Sequence, residues 1–112
     1  MLPDFLSGNW QKVVNAIRDL DIKASIGIIA KDLGNSSQAC KDSIAKWHNS
    51  SQFEIWHHGW DHKRNNYGPN KDNKGEYSGT PYKFQKNNFE EALKFAKKEL
   101  GIEMKTFGAP YN

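Results

Sequence analysis

The sequence has one cysteine, no long apolar run and no block of like charge, and each of these shortages excludes a class of protein. Cys40 is alone and cannot form an internal disulfide. No apolar run approaches the roughly 20 residues that a membrane-spanning helix needs, and the N-terminus lacks the charged-then-apolar pattern of a signal peptide. The 16 basic and 13 acidic residues are mixed along most of the chain, whereas nucleic-acid-binding proteins concentrate basic residues on one face. We therefore expect neither a membrane span nor a nucleic-acid partner.

The remaining composition is that of a small folded domain. Hydrophobic residues make up 37% and charged residues 26% of the 112 positions, enough apolar content for one core. The densest basic cluster, Lys94-Phe95-Ala96-Lys97-Lys98, also fits the solvent face of an amphipathic helix. Nothing near Cys40 would lower the pKa of its thiol, so we expect a small buried residue rather than a nucleophile.

Three segments have the apolar spacing of amphipathic helices. Apolar residues recur every three or four positions from Asn9 to Leu20, from the Gly34–Ser37 turn to about His48, and from about Pro81 to Leu100. The Gly34–Ser37 turn supplies a cap for the second helix, and Gly101 a C-terminal stop for the third.

Three other segments have the composition of strands. Ile22–Ala30 and Phe53–His57 are short, rich in apolar residues and bounded by polar ones, and Ile102–Phe107 is predicted to be one more strand. The stretch from Lys63 to Thr80 has little apolar content, and a structureless loop of that length is usually functional or mobile.

Strands that alternate with helices predict the α/β class, in which parallel strands are joined by right-handed crossovers. Sites in such folds gather at the C-terminal ends of the strands, where both His58–His62 and Gly108–Asn112 lie. The pattern opens on a helix and stops just past a strand. We therefore expect residues 1–112 to form a single partial domain, incomplete at both ends.

Two histidines carry the chemistry suggested by the sequence. His58 and His62 stand four residues apart after a predicted strand, and one helical turn there would let both imidazoles bind one cation. The spacing alone is a weak signal. Trp56 and Trp60 beside it can wall a pocket or stack on a sugar ring, or be ordinary packing residues. His57 should point to the opposite side of the strand, where it would pack or be solvated.

Of the other polar residues considered, Asp61 has both a functional and a simpler interpretation, and His48 has only a simple one. Asp61 can orient a ligand histidine through a hydrogen bond, or be an exposed turn carboxylate. His48, at the end of the second helix, is most simply a partner of the helix dipole.

The chain resembles the polysaccharide deacetylases, the carbohydrate esterase family built on the NodB homology domain. The segment from Glu54 to His62 matches the family's Glu-Ile-Gly-Asn-His strand and its His-x-x-x-His zinc pair. Ile22–Ile26 looks like the family's Lys-Ala-Thr-Phe strand, and Phe107–Asn112 looks like its Arg-x-Pro-Tyr-Gly loop. The three matches occur in the family's order and cover nearly the whole chain. The resemblance implies a partial (β/α) barrel of the NodB deacetylase type.

The resemblance also implies the roles of individual residues. Zn²⁺, or another divalent metal, would be held by Asp4, His58 and His62. The backbone amide of Tyr111 would act catalytically by holding the oxyanion of an N-acetyl group under attack. The substrate would be an N-acetylated carbohydrate polymer or oligosaccharide, and the products acetate and a free amine. The family resemblance further suggests a location outside the cytoplasm.

Several positions depart from the family pattern. Pro3 stands where the family has its catalytic aspartate, and Gly108 where it has an arginine. The segment carrying the family's catalytic histidine would lie beyond Asn112. Two alternatives to an active deacetylase therefore stay open: a catalytically degenerate relative that binds metal or carbohydrate, and an α/β structural or interaction module whose histidines are incidental.

Overall fold

Three helices and two strands make up the framework of the computed structural model, which describes residues 8–65, 67 and 75–111. In chain order the elements are α1 (Gly8–Asp19), β1 (Ala24–Ile28), a 3-10 helix (Ala30–Asn35), α2 (Gln38–Asn49), β2 (Phe53–His57) and α3 (Tyr82–Leu100). The three predicted helices and the first two predicted strands are confirmed.

β1 and β2 form a two-stranded parallel sheet. The register pairs Ala24 with Phe53 and Ile28 with His57. Backbone hydrogen bonds between the two segments continue beyond the C-terminal ends of β1 and β2, since the Lys31 N–H donates to the Trp60 carbonyl at 2.9 Å. Parallel strands end at the same edge, so the turn that follows β2 leaves the sheet beside the end of β1.

One face of this sheet is buried and the other is not. Side chains alternate along a strand, so Phe53, Ile55 and His57 share one face and are buried, while Glu54 and Trp56 point the other way and are exposed or half-buried. The buried face belongs to a core that reaches all three helices. Its members are Val14, Ile28, Leu33, Cys40, Ile44, Trp47, Phe53, Ile55, Ala96, Leu100, Ile102 and Met104.

The predicted helix ends and the burial of Cys40 are confirmed. The Ser37 hydroxyl accepts the Cys40 N–H at 3.1 Å and caps α2. Gly101 ends α3 in the left-handed conformation, at a φ of 69°. The Cys40 side chain is fully buried, and burial raises the pKa of its thiol, as expected for an unreactive core residue.

The prediction of a strand over Ile102–Phe107 is wrong. The segment runs beside β2 but pairs with it only at a bridge between Phe107 and His57. Two residues earlier, on the same side of β2, the Ile55 N–H donates to the imidazole Nδ1 of His48 at 3.3 Å. It is therefore not available for a strand hydrogen bond to the C-terminal segment. His48 lies in the last turn of α2, as predicted, and this bond is a role that the sequence did not indicate.

A parallel strand pair with helical connections is an element that a (β/α) barrel contains, and the barrel itself stays a prediction. Among the helices of the described residues, none has both the length and the apolar character needed to cross a bilayer.

Candidate metal and carbohydrate site

The candidate site lies where β2 ends and the C-terminal segment passes beside it. The His58 imidazole follows β2 directly, and its Nδ1 is 2.7 Å from the carbonyl oxygen of Gly108. A carbonyl oxygen can only accept, so Nδ1 carries a proton, and the tautomer with its proton on Nδ1 has its lone pair on Nε2. Metal-binding histidines in proteins commonly have this arrangement.

The structure brings His58, His62 and Tyr111 together. The ring centres of His58 and His62 are 5.1 Å apart, and the His62 ring centre is 4.5 Å from that of Tyr111. Two imidazoles bound to one zinc ion at about 2.0–2.1 Å in tetrahedral geometry have ring centres about 5 Å apart. The spacing of the pair therefore fits a shared zinc ion.

The histidines do not converge through the helical turn considered from the sequence. Residues 59–62 are not helical, and both Gly59 and His62 have left-handed backbone conformations, with φ of 93° and 55°. For a residue with a Cβ this conformation costs about 1–2 kcal/mol. Such a conformation persists where the surrounding contacts over-determine the backbone, so this turn must be stabilised by other groups.

Every amide from Gly59 to Lys63 donates to a side chain. The Trp60, Asp61 and His62 amides all donate to the carboxylate of Glu76, at 2.7–3.1 Å. The flanking amides use closer partners: Gly59 donates to His57 Nδ1 at 3.0 Å, and Lys63 donates to Asp61 Oδ1 at 3.0 Å. This turn therefore depends on side-chain acceptors, and on Glu76 above all.

Glu76 was not identified from the sequence. It is a buried carboxylate, 3% exposed, in the polar stretch between Lys63 and Thr80. The length and composition of that stretch predicted a functional or mobile loop, but no spacing singled out this residue. Asn65 fixes the backbone around it, since its Nδ2 donates to the carbonyls of Gly75 at 2.8 Å and Ser78 at 2.7 Å.

Burial dominates the electrostatics of Glu76. It raises the pKa of the carboxyl above its ordinary value, and the Asp61 side chain acts in the same direction. The amides of Asp61 and Trp60 act in the opposite direction, because they bind the charged form. Burial, followed by the charge of Glu76, also raises the pKa of the Tyr77 phenol.

His57 lies on the opposite face from His58, as predicted, and is a packing residue. Its ring stacks on Phe89 at 4.5 Å and meets Phe107 edge-on at 5.1 Å. Burial lowers the pKa of His57, the main chain of Phe89 raises it, and the neighbouring His58 lowers it further.

The tryptophans are placed by packing. Trp56 lies across two glycines, since a Cβ on either Gly27 or Gly108 would come within 2.7 Å of its indole ring. Its ring also meets His58 edge-on at 5.2 Å. Trp60 packs against Phe95 with ring centres 5.5 Å apart.

A pocket of about 300 Å³ opens beside the turn. It combines polar and charged groups with two aromatic rings, those of Tyr67 and Phe84, whose centres are 5.6 Å apart. The lining residues are Asp61, Lys63, Arg64, Asn65, Tyr67, Glu76, Phe84 and Asn88. Arg64 also extends over the Tyr111 ring, with its guanidinium carbon 5.5 Å from the ring centre. The pocket therefore adjoins the histidine pair through Asp61 and Arg64.

Zinc needs at least one more protein ligand than this pair supplies. The predicted third ligand, Asp4, lies outside the described residues. Within the described ranges, no group of three or more histidine, cysteine, aspartate or glutamate side chains is positioned to hold a metal ion.

The predicted catalytic residue Tyr111 lies in the short turn that ends the described part of the chain. Its side chain is half-exposed, and its φ is 57°.

Comparison with known proteins gives no relative, because no family model, no curated protein and no solved structure matches this chain.

Proposed function

We propose that this chain carries part of the active centre of a zinc-dependent hydrolase that removes N-acetyl groups from a carbohydrate polymer or oligosaccharide. The observation that carries the proposal is the His58 and His62 pair, with ring centres 5.1 Å apart and with His58 Nδ1 bonded to the Gly108 carbonyl. Asp4 would be the third ligand. A bound zinc ion would supply Lewis-acid activation of water and of the amide carbonyl.

The residues of this chain have defined tasks in this proposal. His58 and His62 hold the metal, and the Gly108 carbonyl keeps the proton of His58 on Nδ1. The Tyr111 amide would donate to the oxyanion that develops on the N-acetyl group. The pocket next to the pair offers hydrogen-bonding groups together with the Tyr67 and Phe84 rings, a combination that suits sugars.

A specific observation supports the second candidate, a catalytically degenerate relative that binds metal or carbohydrate. The deacetylase motif has an arginine at the position of Gly108. Here the Trp56 indole occupies the space that a side chain at this position would need. Together with Pro3 at the position of the base, this packing leaves two catalytic groups of the motif without counterparts.

Zinc titration tests the metal site. Competition with a chromophoric chelator should give a measurable zinc affinity for the protein, and His58→Ala or His62→Ala should weaken it about tenfold or more. His48→Gln is the matched control, because it alters a histidine in the last turn of α2, outside the candidate site, and keeps a hydrogen-bond acceptor for the Ile55 N–H. An unchanged affinity in the His58→Ala/His62→Ala double variant rejects the proposal and favours incidental histidines.

Acetate release separates the two metal-binding candidates. The zinc-loaded protein is incubated with N-acetylated oligosaccharides, and free acetate and new amines are measured. Their release supports the hydrolase. Zinc binding without release, both by this chain and by a form of it extended at both ends, supports the degenerate relative.

A further inference from the structure

The backbone hydrogen bonds of the turn from Gly59 to His62 differ from those of a helix that carries a His-x-x-x-His pair. In a helix, main-chain carbonyls accept the amides and fix the spacing of the side chains. Here three successive amides, those of Trp60, Asp61 and His62, converge on one carboxylate that is 14 to 16 residues away in sequence. Successive amides that point to one centre form a concave site for an anion. In this protein that anion is the side chain of Glu76.

The space around the Glu76 carboxylate is closed. A Cβ on Gly59 would collide with its Oε2, and would lie 2.8 Å from Cγ of Pro110. The carboxylate therefore lies between the histidine turn and the C-terminal segment that contains Gly108 and Tyr111. The histidine turn and the C-terminal segment, the two parts of the candidate site, are thus packed around this carboxylate.

From this arrangement we infer that Glu76 is a positioning residue that sets the separation and orientation of His58 and His62. It acts through the main chain, because it accepts the N–H of His62 itself and so holds that residue in its left-handed conformation. The inference rests on the proposed function for its consequence, which is zinc affinity. Its structural part, the placement of His62 against Tyr111, does not depend on any metal.

Two variants of Glu76 test the inference. Glu76→Gln keeps the size of the side chain but removes the charge and replaces one acceptor oxygen with a donor. Glu76→Asp keeps the charge but withdraws the carboxylate by one methylene. Glu99→Gln is the matched control, since Glu99 is a half-buried carboxylate on α3 that accepts from Lys41 Nζ at 2.6 Å and is outside the site.

The first measurement uses the metal-free protein. The His62 ring lies 4.5 Å from the Tyr111 ring, so its ring-proton resonances carry a ring-current shift that Tyr111→Ala abolishes. We expect the Glu76 variants to lose most of this shift while the Glu99→Gln control retains it. Circular dichroism and thermal unfolding identify the variants that are folded. If Glu76→Gln does not fold, the comparison is made with Glu76→Asp.

The second measurement is zinc affinity by chelator competition. Loss of a hydrogen-bonding partner behind the ligands should weaken zinc binding by about 10- to 100-fold in the Glu76 variants. A folded Glu76 variant that keeps either the wild-type ring-current shift or the wild-type zinc affinity overturns the inference. If the wild-type protein itself does not bind zinc through His58 and His62, the proposed function fails, and the ring-proton result alone decides the role of Glu76.

Discussion

The imidazole Nδ1 of His58 lies 2.7 Å from the carbonyl oxygen of Gly108, a residue 50 positions further along the chain. This bond joins the end of β2 to the C-terminal segment and leaves Nε2 of His58 for the proposed metal. The same glycine supports Trp56 from one side, so the position of the carbonyl depends on the absence of a side chain there.

Gly108→Ala should therefore disturb both packing and metal binding. Its Cβ would lie 2.7 Å from Cζ3 of Trp56, and overpacking of this kind costs about 1–3 kcal/mol. We expect a lower free energy of unfolding in urea and weaker zinc binding. Gly34→Ala is the control, because its Cβ meets nothing closer than Phe95 Cζ at 3.4 Å. Equal stability and zinc affinity of the two variants would contradict the prediction.

Gly59→Ala and Gly101→Ala separate backbone strain from crowding. Both glycines have positive φ, 93° and 69°, so an added Cβ costs about 1–2 kcal/mol at either position. At Gly101 the Cβ meets nothing within 4 Å, whereas at Gly59 it meets Glu76 and Pro110. We expect Gly59→Ala to be the more destabilising in urea titrations and to be the variant that loses zinc affinity. The prediction does not survive if Gly101→Ala has the larger effect.

Asp4→Asn should weaken zinc binding if Asp4 is the third ligand. An amide oxygen is a poorer zinc ligand than a carboxylate, so we expect an affinity loss of about tenfold or more. Asp19→Asn, at the end of α1, is the control for the change of one charge. Chelator competition measures both, and identical affinities for the two variants would exclude Asp4 from the ligand set.

The Lys41–Glu99 ion pair between α2 and α3 should make stability depend on acid. Its N–O distance is 2.6 Å, and the hydrogen bond from Lys41 holds the pKa of Glu99 below its ordinary value. In the unfolded chain Glu99 takes up a proton more readily. The contribution of the pair is therefore complete above the unfolded pKa, about 4.5, and is lost as the pH falls through the lower folded pKa.

Urea titrations of the wild type and of Glu99→Gln over this acidic range measure the effect. We expect the difference between their free energies of unfolding to shrink as the pH falls. A difference that stays constant with pH would show that the pair makes no pH-dependent contribution.

The sequence predicted those parts of the structure that follow from local periodicity. Period-two alternation placed His57 and His58 on opposite faces, and the structure confirms it, with His57 buried against Phe89. The convergence of His58 and His62 was also expected from their spacing. The turn that achieves it was not, because its conformation is set by Glu76, whose position in a polar stretch carries no periodic signal.

The missing last strand has a similar explanation. Ile102–Phe107 has the composition of a strand, but ladder formation needs free partners on β2. The Ile55 N–H is bonded to His48 instead, a tertiary contact that strand propensity does not contain.

The distance in sequence between Glu76 and the amides it binds also has a consequence for folding. A contact across 14 to 16 residues forms only after the intervening loop has closed, so it adds loop-closure entropy to the assembly of the turn. An isolated peptide of residues 53–62 would contain both histidines and lack their geometry. The proposed metal site would therefore form only once this loop has closed.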